Sequence, residues 1–217
     1  MKSKHLIIAS IVLFGSLWGL AELGLGELAW ANNIPRAAIL TAIGVIFLVL
    51  GRRLWAAPGS SLALAAVASA FKFLQHPVWG CKIAAVLMVG AIFDIGFSLY
   101  EARQRQRSDS FACVDTRGVL VLSPILTFVS FIAFSYFARD VLHNPYWSMP
   151  AKMADYMFVQ GPIAAVLALP AAFVGVKLSS ILMRSTSTWS DGRRLAYRVA
   201  AAGSGVAGIA TALALRY

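Results

Sequence analysis

Long apolar runs constrain this chain more than any other feature. Seven segments, 6–31, 37–50, 60–75, 78–100, 119–138, 156–183 and 195–215, carry few charges and are joined by short polar stretches. A helix needs about 20 apolar residues to cross the hydrocarbon core of a bilayer, within a range of about 17–25. The first, fourth, fifth, sixth and seventh segments meet that length. The second and third are short, and cross only with help from flanking residues or enter and leave together as a re-entrant pair. In lipid every backbone polar group must be satisfied internally, so apolar runs of this kind fold as helices. The expectation is therefore an all-α, polytopic transmembrane bundle of about seven spans, or six, forming a single integral membrane domain over residues 1–217.

Composition supports lipid as the solvent. The chain is 59% hydrophobic and only 13% charged, against roughly 25% charged in soluble domains. A net charge of +10 invites a nucleic-acid reading, but the basic residues gather at the ends of the apolar runs, where they read as topology signals and headgroup anchors. With a cytoplasmic N-terminus, twelve of the nineteen Lys and Arg residues fall inside, including Arg52, Arg53, Arg103, Arg105 and Arg107. Five fall outside (Arg36, Lys82, Arg139, Lys152 and Arg216), and Lys72 and Lys177 lie within spans. Such a bias sets orientation and points to a cytoplasmic membrane, most simply the bacterial inner membrane. Membrane lipid is then an expected partner and nucleic acid is not. The first run is about twice the length of a signal-peptide core of 7–15 residues and carries Glu22 and Glu27, so it reads as a retained helix.

The loops add less. Residues 101–118 and 184–198 read as short basic cytoplasmic linkers. The outer loop 139–155 holds Tyr146, Trp147 and Met149. These fit an interfacial aromatic belt, and they equally suit a lid over an outward pocket. Cys81 and Cys113 form no CxxC motif, and the topology puts them on opposite faces. Small residues at Gly15 and Gly19 allow close helix approach, as do Ala200, Ser204 and Gly208.

A charge at the bilayer centre costs at least about 2.5–3.5 kcal/mol, so charges that remain there have partners or functions. Glu22, Glu27 and Lys72 are such charges. At about 1.5 Å per residue, Glu22 lies just past the midplane of the first span and Glu27 near its outer boundary. The third span also runs outward, which puts Lys72 at matching depth. An ion pair of Lys72 with either glutamate offsets much of their desolvation. Trp18, four residues before Glu22, shares its helical face. An aromatic surface beside a carboxylate suits a flat, polar or cationic ligand, so Trp18, Glu22, Glu27 and Lys72 are expected to form a ligand pocket in the outer half, capped by the loop 139–155; the same charges equally serve as an ion pair that fixes helix register. Asp94, in the inner third of the fourth span, reads as a partner-docking residue, an interfacial group or a mate for Lys177. His5, His76 and His143 sit at span edges, unsuited to holding haem between helices. Neither HExxH, GxSxG nor a Walker loop is present. No catalytic residues, metal site or cofactor are assigned, and an enzyme is not expected.

The run Gly15-Ser16-Leu17-Trp18-Gly19-Leu20-Ala21-Glu22, followed by Ile34-Pro35-Arg36 and a short second span, resembles small integral membrane proteins of the energy-coupling-factor transporter S-component type. The resemblance covers roughly the first hundred residues. It implies a ligand-capturing bundle, open in its outer half, that docks onto a transmembrane coupling protein and paired ATPases. Trp18, Glu22 and Lys72 would then line the pocket, with Gly15 and Gly19 on the docking face. That type has six spans where this chain reads as seven, and its Ala-based docking signature has no clear counterpart here. The alternative is a non-catalytic subunit of a larger redox or photosynthetic membrane complex.

Overall fold

A computed structural model describes residues 4–31, 35–74, 80–107 and 115–186. All regular structure among them is helical. The helices are α1 (Lys4–Ala31), α2 (Arg36–Trp55), α3 (Ser60–Ala70), α4 (Gly80–Arg107), α5 (Thr116–Asp140), α6 (Pro150–Asp155) and α7 (Gly161–Thr186). A 3-10 turn, Phe71–Leu74, extends α3, and a π-helical turn, Tyr156–Gln160, joins α6 to α7. Five helical stretches are long and apolar enough to cross a membrane: Ile7–Leu25, Arg36–Trp55, Gly80–Gln106, Thr116–Asp140 and Pro150–Arg184. The shorter Ser60–Leu74 is apolar too. The expected seventh segment, 195–215, lies outside the described residues, as do His76 and Cys113.

Helix contacts follow a ring: α1 against α2, α2 against α7, α7 against α5, α5 against α4, α4 against α3 and α3 back against α1. Successive helices alternate in direction, so the bundle has two ends. One gathers the start of α2, the end of α3, the start of α4 and the end of α5. The other gathers the end of α2, the start of α3 and the end of α4. Between them lies a core built from Trp18, Val45, Leu48, Val49, Phe93, Phe97, Leu126 and Val176, with Ala65, Ala68, Ala168 and Ala172 where helices approach closely. Outward faces are apolar as well; Val121, Phe158, Val166, Leu169 and Ile181 are all exposed. A bundle whose outside is as greasy as its inside suits lipid.

Glycines let the walls close. A Cβ built on Gly15 would lie 2.6 Å from Val67 Cβ, and one on Gly19 would lie 2.6 Å from Phe71 Cδ2. The α1 face carrying both glycines is therefore covered by α3 and its 3-10 extension within the chain.

Several element boundaries differ from the sequence reading, and the sixth segment, expected over 156–183, already begins in α6 at Pro150. The second segment, expected over 37–50, is a 20-residue helix that runs through Arg52 and Arg53 to Trp55, about 30 Å long. The fourth continues to Arg107, so Glu101 belongs to a helix and is buried rather than lying in a solvated linker. Both extensions bring charge into the bundle. Arg52 is 0% exposed, and it is no headgroup anchor: its charge is met inside the bundle. Its Nε donates to Glu101 Oε1 at 2.9 Å and its Nη2 to Glu101 Oε2 at 2.7 Å, a bidentate pair. Nη1 donates to the Ala57 carbonyl at 2.9 Å and to Asp94 Oδ1 at 3.4 Å, and Nη2 also reaches Ser98 Oγ at 3.1 Å.

Candidate functional site

The end of the bundle opposite Arg52 holds a cavity of about 200 Å³. One wall is charged. Lys72 Nζ lies 2.7 Å from Glu22 Oε2, and the Trp18 indole N–H donates to Glu22 Oε1 at 3.3 Å. All three side chains are buried, Trp18 at 1%, Lys72 at 5% and Glu22 at 6% exposure, and all three line the cavity. Local sequence explains the arrangement. Trp18 and Glu22 are one turn apart on α1, and the 3-10 turn carries Lys72 across to them from the end of α3. Gly44 of α2 makes room for the indole: a Cβ there would lie 2.6 Å from Trp18 Cζ2. Arg36 at the start of α2 and Lys82 at the start of α4 complete the basic side of the lining.

The opposite wall is aromatic. Phe131 and Phe134 come from α5, Tyr156 from the π-helical turn and Trp147 from the loop before α6. Phe131 and Tyr156 stack with centroids 4.6 Å apart and planes 24° apart. Trp147 meets Tyr156 edge-on at 4.7 Å and Phe134 at 5.2 Å. π-helical turns re-aim side chains and often mark functional sites; this one delivers Tyr156 to the lining. Trp147 is buried against the cavity, while Tyr146 and Met149 are exposed.

Of the residues singled out from sequence, Trp18, Glu22 and Lys72 therefore come together. Glu27 lies in α1, but its side chain falls outside the described ones. Asp94 is at the other end of the bundle, where it accepts from the Gly59 N–H at 2.7 Å and the Ser61 N–H at 3.2 Å as well as pairing with Arg52. It caps the start of α3, and Arg52 takes the place considered for Lys177. Lys177 is exposed and lies over the Phe173 ring, 5.4 Å from its centroid. Cys81 lines the cavity as a free, half-buried thiol. Among the described residues no three His, Cys, Asp or Glu side chains cluster as a metal site.

Sequence reasoning did not find the aromatic wall. Phe131, Phe134 and Tyr156 carry no local signal, since aromatic residues in an apolar run read equally as core or lipid contact. Comparison with family models, with curated proteins and with solved structures finds no match for this chain.

Proposed function

We propose that this protein is the ligand-capturing integral membrane component of a multi-subunit importer, holding a small molecule in the cavity beside Glu22 and Lys72. The observation that carries the reading is a concave site at one end of the bundle with a buried ion pair in one wall and four aromatic rings in the other. Ligand sites are mostly apolar clefts with a few placed polar groups, and this cavity has that composition. The Arg52–Glu101–Asp94 cluster ties α2, α3 and α4 away from the cavity, whereas the Glu22–Lys72 pair lines it.

The importer part rests on the resemblance of the α1 sequence to S-components and on the positive-inside reading, which turns the cavity outward. No nucleotide-binding motif is present in the sequence, so energy would come from partner ATPases. Purification from native membranes in mild detergent tests this. Recovery with a coupling protein and paired ATPases is expected. Recovery with redox subunits and without ATPases would overturn it in favour of a structural subunit of an electron-transfer complex.

A further inference from the structure

The outward side of α7 is apolar along its length and carries one charge in its middle turns. Val166, Leu169, Phe173, Lys177 and Ile181 follow one another at three or four residues and all are exposed, so they form a single stripe along the helix. The inward side is packed, with Ala168, Ala172 and Val176 in the core. Contact with α2 fixes the depth of Lys177. A Cβ on Gly175 would lie 2.8 Å from the Ile46 carbonyl oxygen and 3.0 Å from Val49 Cβ. The two helices run the same way, so Lys177, two residues further on, stands level with Leu50. That is roughly 8 Å inside the Trp55 end of α2 at about 1.5 Å per residue. At 20 residues, α2 has the length of a bilayer core.

Arg52 stands near this depth and is fully met, by Glu101, Asp94, Ser98 and the Ala57 carbonyl. Lys177 makes no hydrogen bond or ion pair among the described residues; its Nζ rests over the Phe173 ring, 5.4 Å from the centroid. Phe173 is one turn nearer the start of α7, toward the bilayer centre. A lysine that snorkels carries its head to the nearer interface, and this one turns the other way. Its ring contact is electrostatic and leaves three N–H donors without an acceptor. Ionisable groups within spans pair with one another or mark a working surface, and the surface around Lys177 faces away from the bundle.

Charge decides what covers it. The apolar segment 195–215 contains no Asp or Glu. A second copy offers no better mate, because Asp94 and Glu101, the described span carboxylates at this end of the bundle, are both held by Arg52. We propose that this face of α7 docks a transmembrane helix of a different protein, which brings a carboxylate to the depth of Lys177. Apolar side chains of that helix lie along Val166, Leu169 and Ile181, and its carboxylate accepts from the ammonium. The docking face goes beyond the importer reading and does not depend on the cavity.

A defined probe tests it: a dansyl-labelled leucine–alanine peptide of about 20 residues, free of tryptophan and flanked by lysines, with one glutamate about five residues from one end, the depth of Lys177. Binding to the full chain in phosphatidylcholine vesicles would be followed by energy transfer from tryptophan to dansyl. The glutamate peptide should bind about tenfold more tightly than its leucine counterpart, the scale of one polar contact between helices in lipid. Lys177→Met should abolish that preference and leave circular dichroism and thermal unfolding unchanged, since the side chain is exposed.

Equal binding of the two peptides, or a preference that survives Lys177→Met, would overturn the proposal. A preference erased when phosphatidylglycerol replaces part of the phosphatidylcholine would overturn it in favour of a lipid headgroup. Self-association of the chain that requires Lys177 would overturn it in favour of a second copy. A preference seen only in Asp191→Asn would show that the chain supplies its own acceptor. Absence of ATPase partners would refute the importer and leave the docking face standing.

Discussion

Replacing Arg52 with Met should be among the most damaging single changes in the described part of the chain. Met keeps an unbranched stem in the same packing but removes every donor. Arg52 makes five hydrogen bonds, two of them the bidentate pair with Glu101. Asp94 keeps its two backbone donors at Gly59 and Ser61, so its share of the loss is small. Glu101 is 4% exposed and would lose both bonds of the bidentate pair. Removing one partner of a buried ion pair costs about 3–5 kcal/mol, because the remaining charge stays desolvated. Arg52→Met is therefore expected to lose about 4 kcal/mol, mostly through Glu101. Arg52→Lys keeps the charge but not the fork that matches a carboxylate, and should lose about 2 kcal/mol. Arg52→Met/Glu101→Leu removes both charges. Well-packed apolar replacements of buried pairs are often neutral, so the double variant should recover most of the loss.

Reversible unfolding in mixed micelles with rising dodecyl sulfate, followed by far-ultraviolet circular dichroism, gives the three differences, and Glu101→Leu alone closes the cycle that gives the coupling. The reasoning fails if Arg52→Met loses less than about 1 kcal/mol, the range of an exposed pair. It fails equally if the double variant is as unstable as the single one, because the damage would then come from lost packing rather than a stranded carboxylate.

Gly44→Ala should displace the Trp18 indole, since the new Cβ would fall 2.6 Å from Cζ2; overpacking of this kind costs about 1–3 kcal/mol, and any ligand affinity should fall with it. An unchanged stability and Trp18 environment, read by fluorescence in a variant lacking the other tryptophans, would refute it. Gly90→Val should separate α3 from α4, because its Cβ would collide with that of Ala65 and approach the Ser61 carbonyl within 3.1 Å; a loss above about 3 kcal/mol is expected, and a loss under 1 kcal/mol would contradict the close approach. Trp147→Ala should speed maleimide labelling of Cys81 by opening the rim; an unaltered rate would show that this loop does not cover the thiol.

The half of the site on α1 and α3 was legible in the sequence because depth in a membrane can be counted along an apolar run. Glu22 and Lys72 lie on different helices, yet rise per residue and alternating direction put both near one end, and helical spacing adds Trp18 to the same face. The Arg52 cluster was not legible. An arginine at the end of an apolar run looks the same in sequence whether it meets headgroups or a carboxylate 49 residues away. That ambiguity also shortened the expected second helix and put Glu101 in a linker. Tyr156 was hidden for another reason. It stands where α6 passes into the π-helical turn, at what the sequence reads as the boundary between a loop and a span, so no run of helical spacing before it predicts which way its side chain turns.

The two ends of the bundle are therefore held by different chemistry. At the Arg52 end, charge and backbone donors tie α2, α3 and α4, and nearby Tyr100 donates to Asp115 Oδ1 at 2.7 Å while the same oxygen caps α5 through the Gly118 N–H at 3.0 Å. Directional bonds of this kind fix register between helices. At the cavity end, α1 and α3 meet through Glu22 and Lys72, whereas α5, the π-helical turn and the loop before α6 contribute rings. Ring contacts tolerate sliding and tilting that a bidentate guanidinium pair does not. On the proposed reading, a guest between the charged wall and the aromatic wall would be accommodated by small movements of α5 and the Trp147 loop, while the far end holds the frame. On that reading the cavity end is the adaptable one, and the groups proposed to grip a ligand stand at the opposite end of the bundle from the Arg52 cluster.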